Sequence, residues 1–136
     1  MMTLLDLQIR AESQGIRLYD MPMRELAGVS FPDGWIAIDA HKTESRAEEK
    51  VILAHEIGHC ETGSFYNIYS SYDVMAAHEH RADVRSYKLL VPHDELKEAV
   101  KHGYKEVWEL AELFDVPCDY MAQAMAYWQN EELAAV

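Results

Sequence analysis

The stretch His55-Glu56-Ile57-Gly58-His59 governs the reading of this chain of 136 residues. Two histidines four apart on a helix point the same way, so both imidazoles can reach one cation. The glutamate between them can take a proton from a water held by that cation. This is the H-E-x-x-H spacing of hydrolytic zinc sites.

The flanking residues supply the helix. Ser45, with Glu48 three positions on, has the form of a capping box. From there Val51, Ile52, Ala54 and Ile57 carry a helix to about Cys60. Apolar side chains surround it on most sides, which predicts a central helix. Imidazoles buried there at 55 and 59 are costly without partners, and a metal supplies one.

Upstream, residues 3–14 show helical spacing (Leu4, Leu7, Ala11), and Gly15 stops the run. Residues 16–19 are a short strand candidate. Residues 26–31 and 35–39 flank Pro32-Asp33-Gly34, a hairpin signal. Along 35–39, Trp35, Ala37 and Asp39 alternate with Ile36 and Ile38, so one face should be the more buried.

Downstream, residues 62–73 read as a long structured loop holding Phe65, Tyr66, Tyr69 and Tyr72. Helices are expected over 74–90, 94–100, 104–114 and 117–130. The predicted fold is α+β: a small antiparallel sheet packed on a helical bundle, with the motif on a central helix, as one domain spanning 1–136.

Composition narrows the class. Apolar residues make up 49%, as in a globular chain. No apolar run is long enough to cross a membrane, and residues 1–10 lack the pattern of a secretion signal, so a cytoplasmic location is expected. The two cysteines, Cys60 and Cys118, are too few for a disulfide framework. Cys60 follows His59 but points about 100° away on a helix, and reads as a buried free thiol. The net charge of −12 opposes a broad grip on nucleic acid or acidic lipid. It suits a basic protein partner, such as a DNA-binding protein.

A catalytic zinc takes three protein ligands and one open position. The pattern H-E-x-x-H-x-x-G-x-x-H is excluded, because Thr62 and Phe65 stand where its glycine and third histidine would be. The alternative is a carboxylate from a following helix. Glu79 is the best candidate; His78 and His80 are reserves. Asp83, four residues on, shares Glu79's face and can accept the free N–H of a ligating histidine. Ala82 is small enough to let the two helices approach.

Taken together, His55-Glu56-Ile57-Gly58-His59, then Glu79 with Ala82-Asp83, then Leu89-Leu90-Val91-Pro92, resemble the ImmA/IrrE family of zinc metallopeptidases. The resemblance runs from the hairpin to the helix after Pro117. It implies a gluzincin-like site: zinc on His55, His59 and Glu79, with Glu56 as the catalytic base. It also implies a protein substrate, a helix-turn-helix repressor of a phage or mobile element, which the peptidase cleaves or inactivates. The chain departs from many members in carrying Arg85-Ser86 two and three positions after Asp83. This alters how the second helix packs and leaves the metal ligands unchanged.

Tyr66, Tyr69 and Tyr72 are possible oxyanion donors, although aromatic packing of the loop explains each of them better. Two rival readings stand. One is a non-catalytic binding module for a repressor or antitoxin, with a structural or vestigial metal; a fourth ligand from Cys60, His78 or His80 would support it. The other is DNA binding by a helix-turn-helix around residues 114–117. That is opposed by Asp119 at the start of the second helix and by the scarcity of arginine there.

Overall fold

Thr3 and Asp6 cap the first helix reciprocally, side chain to backbone in both directions. Helix α1 (Leu4–Ser13) buries Leu7 and Ala11. Gly15 then takes a left-handed φ of 78°, and the chain turns into strand β1 (Arg17–Asp20). Strands β2 (Gly28–Phe31) and β3 (Trp35–Ile38) form the expected antiparallel hairpin, with Phe31 opposite Trp35 and Gly28 opposite Ile38. The computed structural model describes residues 1–135.

The sheet is mixed, not wholly antiparallel. Its order is β1-β3-β2, and β1 runs parallel to β3, Arg17 beside Trp35 and Asp20 beside Ile38. The connection over residues 21–27 carries the chain from one edge to the other, and the hairpin then brings β3 back between them. Buried Asp39 holds this connection by accepting from the Met23 and His41 amides at 2.9 and 3.1 Å. A period of two cannot reveal which strand lies beside which, so the sequence did not show the crossover. Nor does β3 have one wet face: Ile36, Ala37 and Ile38 are all buried, as suits a central strand.

Ser45 caps helix α2 (Arg46–Thr62) by accepting from the Glu48 amide; the Glu48 carboxylate serves Glu44 and not Ser45. Gly63 closes α2 with a left-handed φ of 65°. Ser71 caps helix α3 (Tyr72–Leu90), which begins two residues earlier than expected. Helices α4 (His93–Lys101), α5 (Val107–Phe114) and α6 (Cys118–Ala134) complete the fold. Helix α5 starts late because Glu106 and Glu109 cap each other's backbone there. Helix α6 buries Tyr120, Met121 and Ala124.

Helix α2 is central, as expected. Leu53, Ala54 and Ile57 join Leu7, Ile36, Leu90, Leu110, Phe114 and Met121 in one core. Lys50, only 3% exposed, sends its ammonium to the Phe114 carbonyl at 2.8 Å and the Met2 carbonyl at 3.3 Å. It thereby ties α2 to the end of α5 and to the start of the chain. Against α3 the contact is closer still. A Cβ on Gly58 would lie 2.5 Å from the Ala82 carbonyl oxygen, so only glycine allows this approach. Among the described residues no helix is long and apolar enough to cross a membrane.

Candidate metal centre

The approach of α2 to α3 brings three sequence-predicted ligands together. His55, His59 and Glu79 offer ligand atoms that all lie within 4.8 Å of one another. His55 Nε2 is 3.2 Å from His59 Nε2. Glu79 spans both, with Oε2 2.8 Å from His55 Nε2 and Oε1 3.1 Å from His59 Nε2. Three donors around a tetrahedral zinc, with bonds of about 2.1 Å, stand about 3.4 Å apart, so this spacing suits such an ion.

Both tautomers are fixed from behind. His55 Nδ1–H donates to Asp83 Oδ1 at 2.8 Å, the role expected for Asp83. His59 Nδ1–H donates to the Ser64 carbonyl. A carbonyl and a carboxylate can only accept, so the N–H of each neutral imidazole lies on Nδ1. Each Nε2 then presents a lone pair. Two lone pairs and a carboxylate facing one point repel each other unless a cation lies between them, and this donor set fits a divalent metal.

Glu56 lies beside this point. It is 7% exposed, and among the described residues its Oε2 has no hydrogen-bond partner, a costly state for a buried carboxylate oxygen. Burial pushes its pKa up; His55, His59 and the Ser30 hydroxyl oppose the shift. His55 shows the reverse balance. Burial disfavours its charged form, yet the Asp83 hydrogen bond and the neighbouring carboxylates outweigh burial and raise its pKa.

These groups line one cavity of about 560 Å³. Its other walls are Leu26 to Ser30, Val51 and Ile52 on one side, and Asp83, Ser86, Tyr120 and Gln123 on the other. Strand β2 is an edge of the sheet and borders the cavity. Gly28 lets it approach, because a Cβ there would lie 2.6 Å from Ile52 and 3.4 Å from Glu56.

The reserve ligands stay outside. Cys60, His78 and His80 contribute no atom to the group, and burial pushes the Cys60 thiol up to about 11, which keeps it protonated. His78 lies under the Tyr66 ring, with Arg81 3.2 Å from its Nδ1. Arg85 and Ser86 give α3 further polar contacts. Arg85 donates to Glu61 at 2.8 Å; Ser86 donates to the Asp83 carbonyl and meets the Tyr120 hydroxyl at 2.8 Å. Glu61 also accepts from Arg10 and Gln14. Burial works against this carboxylate, but the two guanidinium groups and the Gln14 amide hold its pKa down at about 2.

Sequence reasoning missed two contacts. The Ser64 carbonyl is a main-chain partner, on which side-chain identity leaves no mark. Tyr66, whose hydroxyl donates to Glu79 Oε1 at 2.8 Å, had only its place in an aromatic loop to distinguish it.

The sequence profile described as the IrrE N-terminal-like domain matches residues 11–125. No curated protein matches the chain. The match covers the sheet, the candidate metal centre and the first half of α6. The profile is that of a peptidase family, and the chain belongs to that IrrE N-terminal-like family, its convergent histidines and glutamate fitting a metallopeptidase-like role.

Proposed function

We propose that the protein is a zinc-dependent endopeptidase with His55, His59 and Glu79 as ligands, Glu56 as general base and Asp83 orienting His55. The observation that carries this reading is the unpartnered, buried Glu56 Oε2 beside three converging acceptors. A divalent cation held by His55, His59 and Glu79 would supply Lewis acidity and make an attacking water more acidic.

The chain's own groups do the rest. Glu56 Oε2 takes a proton from the attacking water and delivers it to the departing amine nitrogen. Asp83 and the Ser64 carbonyl hold the imidazoles still while this occurs. The free edge of β2 can pair with an extended substrate through main-chain hydrogen bonds.

The proposed substrate is a helix-turn-helix repressor of a phage or mobile element, met in the cytoplasm. The net charge of −12 supports a basic partner of this kind. The three-ligand group, without Cys60, His78 or His80, supports an open catalytic site over a closed structural one.

The test is metal content by mass spectrometry on protein purified without a metal-affinity tag, followed by incubation with repressors encoded beside the gene. About one zinc per chain and cleavage that Glu56→Gln abolishes are expected. Wild-type protein that takes up no zinc on reconstitution would overturn the reading.

A further inference from the structure

The connection between α2 and α3, residues 63–71, touches the metal centre at two points. At its root Ser64 is 1% exposed; its carbonyl holds His59, and its hydroxyl pairs with the Thr62 hydroxyl at 2.7 Å. Two residues on, Tyr66 lines the cavity and donates its hydroxyl to Glu79 Oε1. The Tyr66 ring is edge-on to His59, with centroids 6.4 Å apart, and stacks on His78 at 6.2 Å. Tyr66 is 41% exposed, and these contacts border its ring on the side of the two histidines.

The other tyrosines of this stretch do not reach the site. Tyr69 is 89% and Tyr72 81% exposed, and neither lines the cavity. Glu79 needs an outside partner more than the histidines do. Its side chain is 41% exposed and has three rotatable bonds, so water competes for both oxygens. The Tyr66 hydroxyl is the one side-chain O–H or N–H, among the described residues, that donates to this carboxylate, since the two imidazoles face it with Nε2 lone pairs.

We propose that Tyr66 is a positioning residue of the metal centre: its hydroxyl locks the Glu79 carboxylate facing both histidines, so the loop over 63–71 clamps two ligands at once and sets the affinity and geometry of the bound cation. The inference rests on the metal-site reading above, and not on catalysis. It adds a ligand-orienting group that the H-E-x-x-H spacing does not contain. Outer partners of this kind are worth about 10- to 100-fold in metal affinity.

The experiment uses the full chain, stripped of metal and titrated with Zn²⁺ against a chromophoric chelator, then loaded with Co²⁺ for its visible spectrum. Tyr66→Phe should weaken Zn²⁺ binding about 10- to 100-fold and change the Co²⁺ bands, with the melting temperature of the metal-free protein unchanged. Tyr69→Phe should match wild type in all three. In a Glu79→Ala background, Tyr66→Phe should have no further effect, because the group it orients is gone.

Wild-type Zn²⁺ affinity and Co²⁺ spectrum in Tyr66→Phe would overturn the proposal. So would an equal loss of affinity in the Glu79→Ala background, or a loss that merely tracks a lower melting temperature. Failure of wild type to bind Zn²⁺ would overturn it together with the metal-site reading. Tight Zn²⁺ binding without cleavage of any repressor would count against the peptidase alone, and the Tyr66 comparison would still be decided.

Discussion

Gly58→Ala adds one methyl group where the two helices that carry the candidate metal ligands meet. The new Cβ would sit 2.5 Å from the Ala82 carbonyl oxygen, 3.1 Å from its Cα and 3.2 Å from its carbonyl carbon. All three are backbone atoms of a helix, so none can rotate away. Ordinary contact begins near 3.4 Å, so α3 must retreat by roughly 1 Å at this point. Overpacking of this kind costs about 1–3 kcal/mol. Better helix propensity returns about 1 kcal/mol, so metal-free stability falls by only about 0–2 kcal/mol.

The effect on metal should be larger. Glu79 lies three residues before Ala82, less than one turn away, and moves with it. Ligand distances tolerate only about 0.2 Å. A loss of at least about tenfold in Zn²⁺ affinity, or about 1.4 kcal/mol, is therefore expected. The assay is thermal unfolding of wild type and Gly58→Ala, metal-free and in excess Zn²⁺. The stabilisation by metal should shrink in the variant as its dissociation constant rises. Equal stabilisation by Zn²⁺ in both proteins would refute the argument that this contact sets the ligand spacing.

The remaining predictions are briefer. Glu56→Gln should retain zinc and lose cleavage by about 10²- to 10⁴-fold, read as metal content and as turnover of one repressor. Lys50→Met should cost about 1–3 kcal/mol in urea unfolding, because the Phe114 carbonyl loses a buried donor, with Zn²⁺ affinity unchanged. Glu61→Gln should lower the melting temperature by several degrees, since Arg10 and Arg85 both lose a charged acceptor. Asp39 has its pKa lowered in the fold, chiefly by the Met23 amide, then by the His41 amide against the pull of burial. A lowered folded pKa means stability that is present above the unfolded pKa and lost as pH falls, so Asp39→Asn should flatten the acid limb of stability below about pH 4.

Much of the site was legible because it is periodic. His55, Glu56 and His59 are fixed by helical spacing, and Glu79 and Asp83 by the same rule on the next helix. Ser45 marks the start of α2 through its own side chain, whereas Ser71, which caps α3, went unread and that helix was expected only from 74. Ala82 could be read as permitting a close helix pair, but its partner in that contact, Gly58, looked like a filler position of the motif. What stayed hidden depends on chain path or main chain. The parallel pairing of β1 with β3 follows from a crossover that alternation cannot encode. Burial of Ala37 follows from β3 being the middle strand. The Ser64 carbonyl would serve His59 whatever residue stood at 64. Tyr66 was one aromatic residue among several until folding brought it to Glu79.

Strand β2 is four residues long, and among the described residues its outer flank carries no other strand. A chain pairing along it gains a track of about 13 Å, which is short. So small a template cannot read a long motif, and it cannot unwind a helix to obtain one. For the proposed peptidase, such a track suits a linker that is already extended better than a folded domain. A regulator could therefore control such an enzyme without touching it, by exposing or folding away a few residues of its substrate.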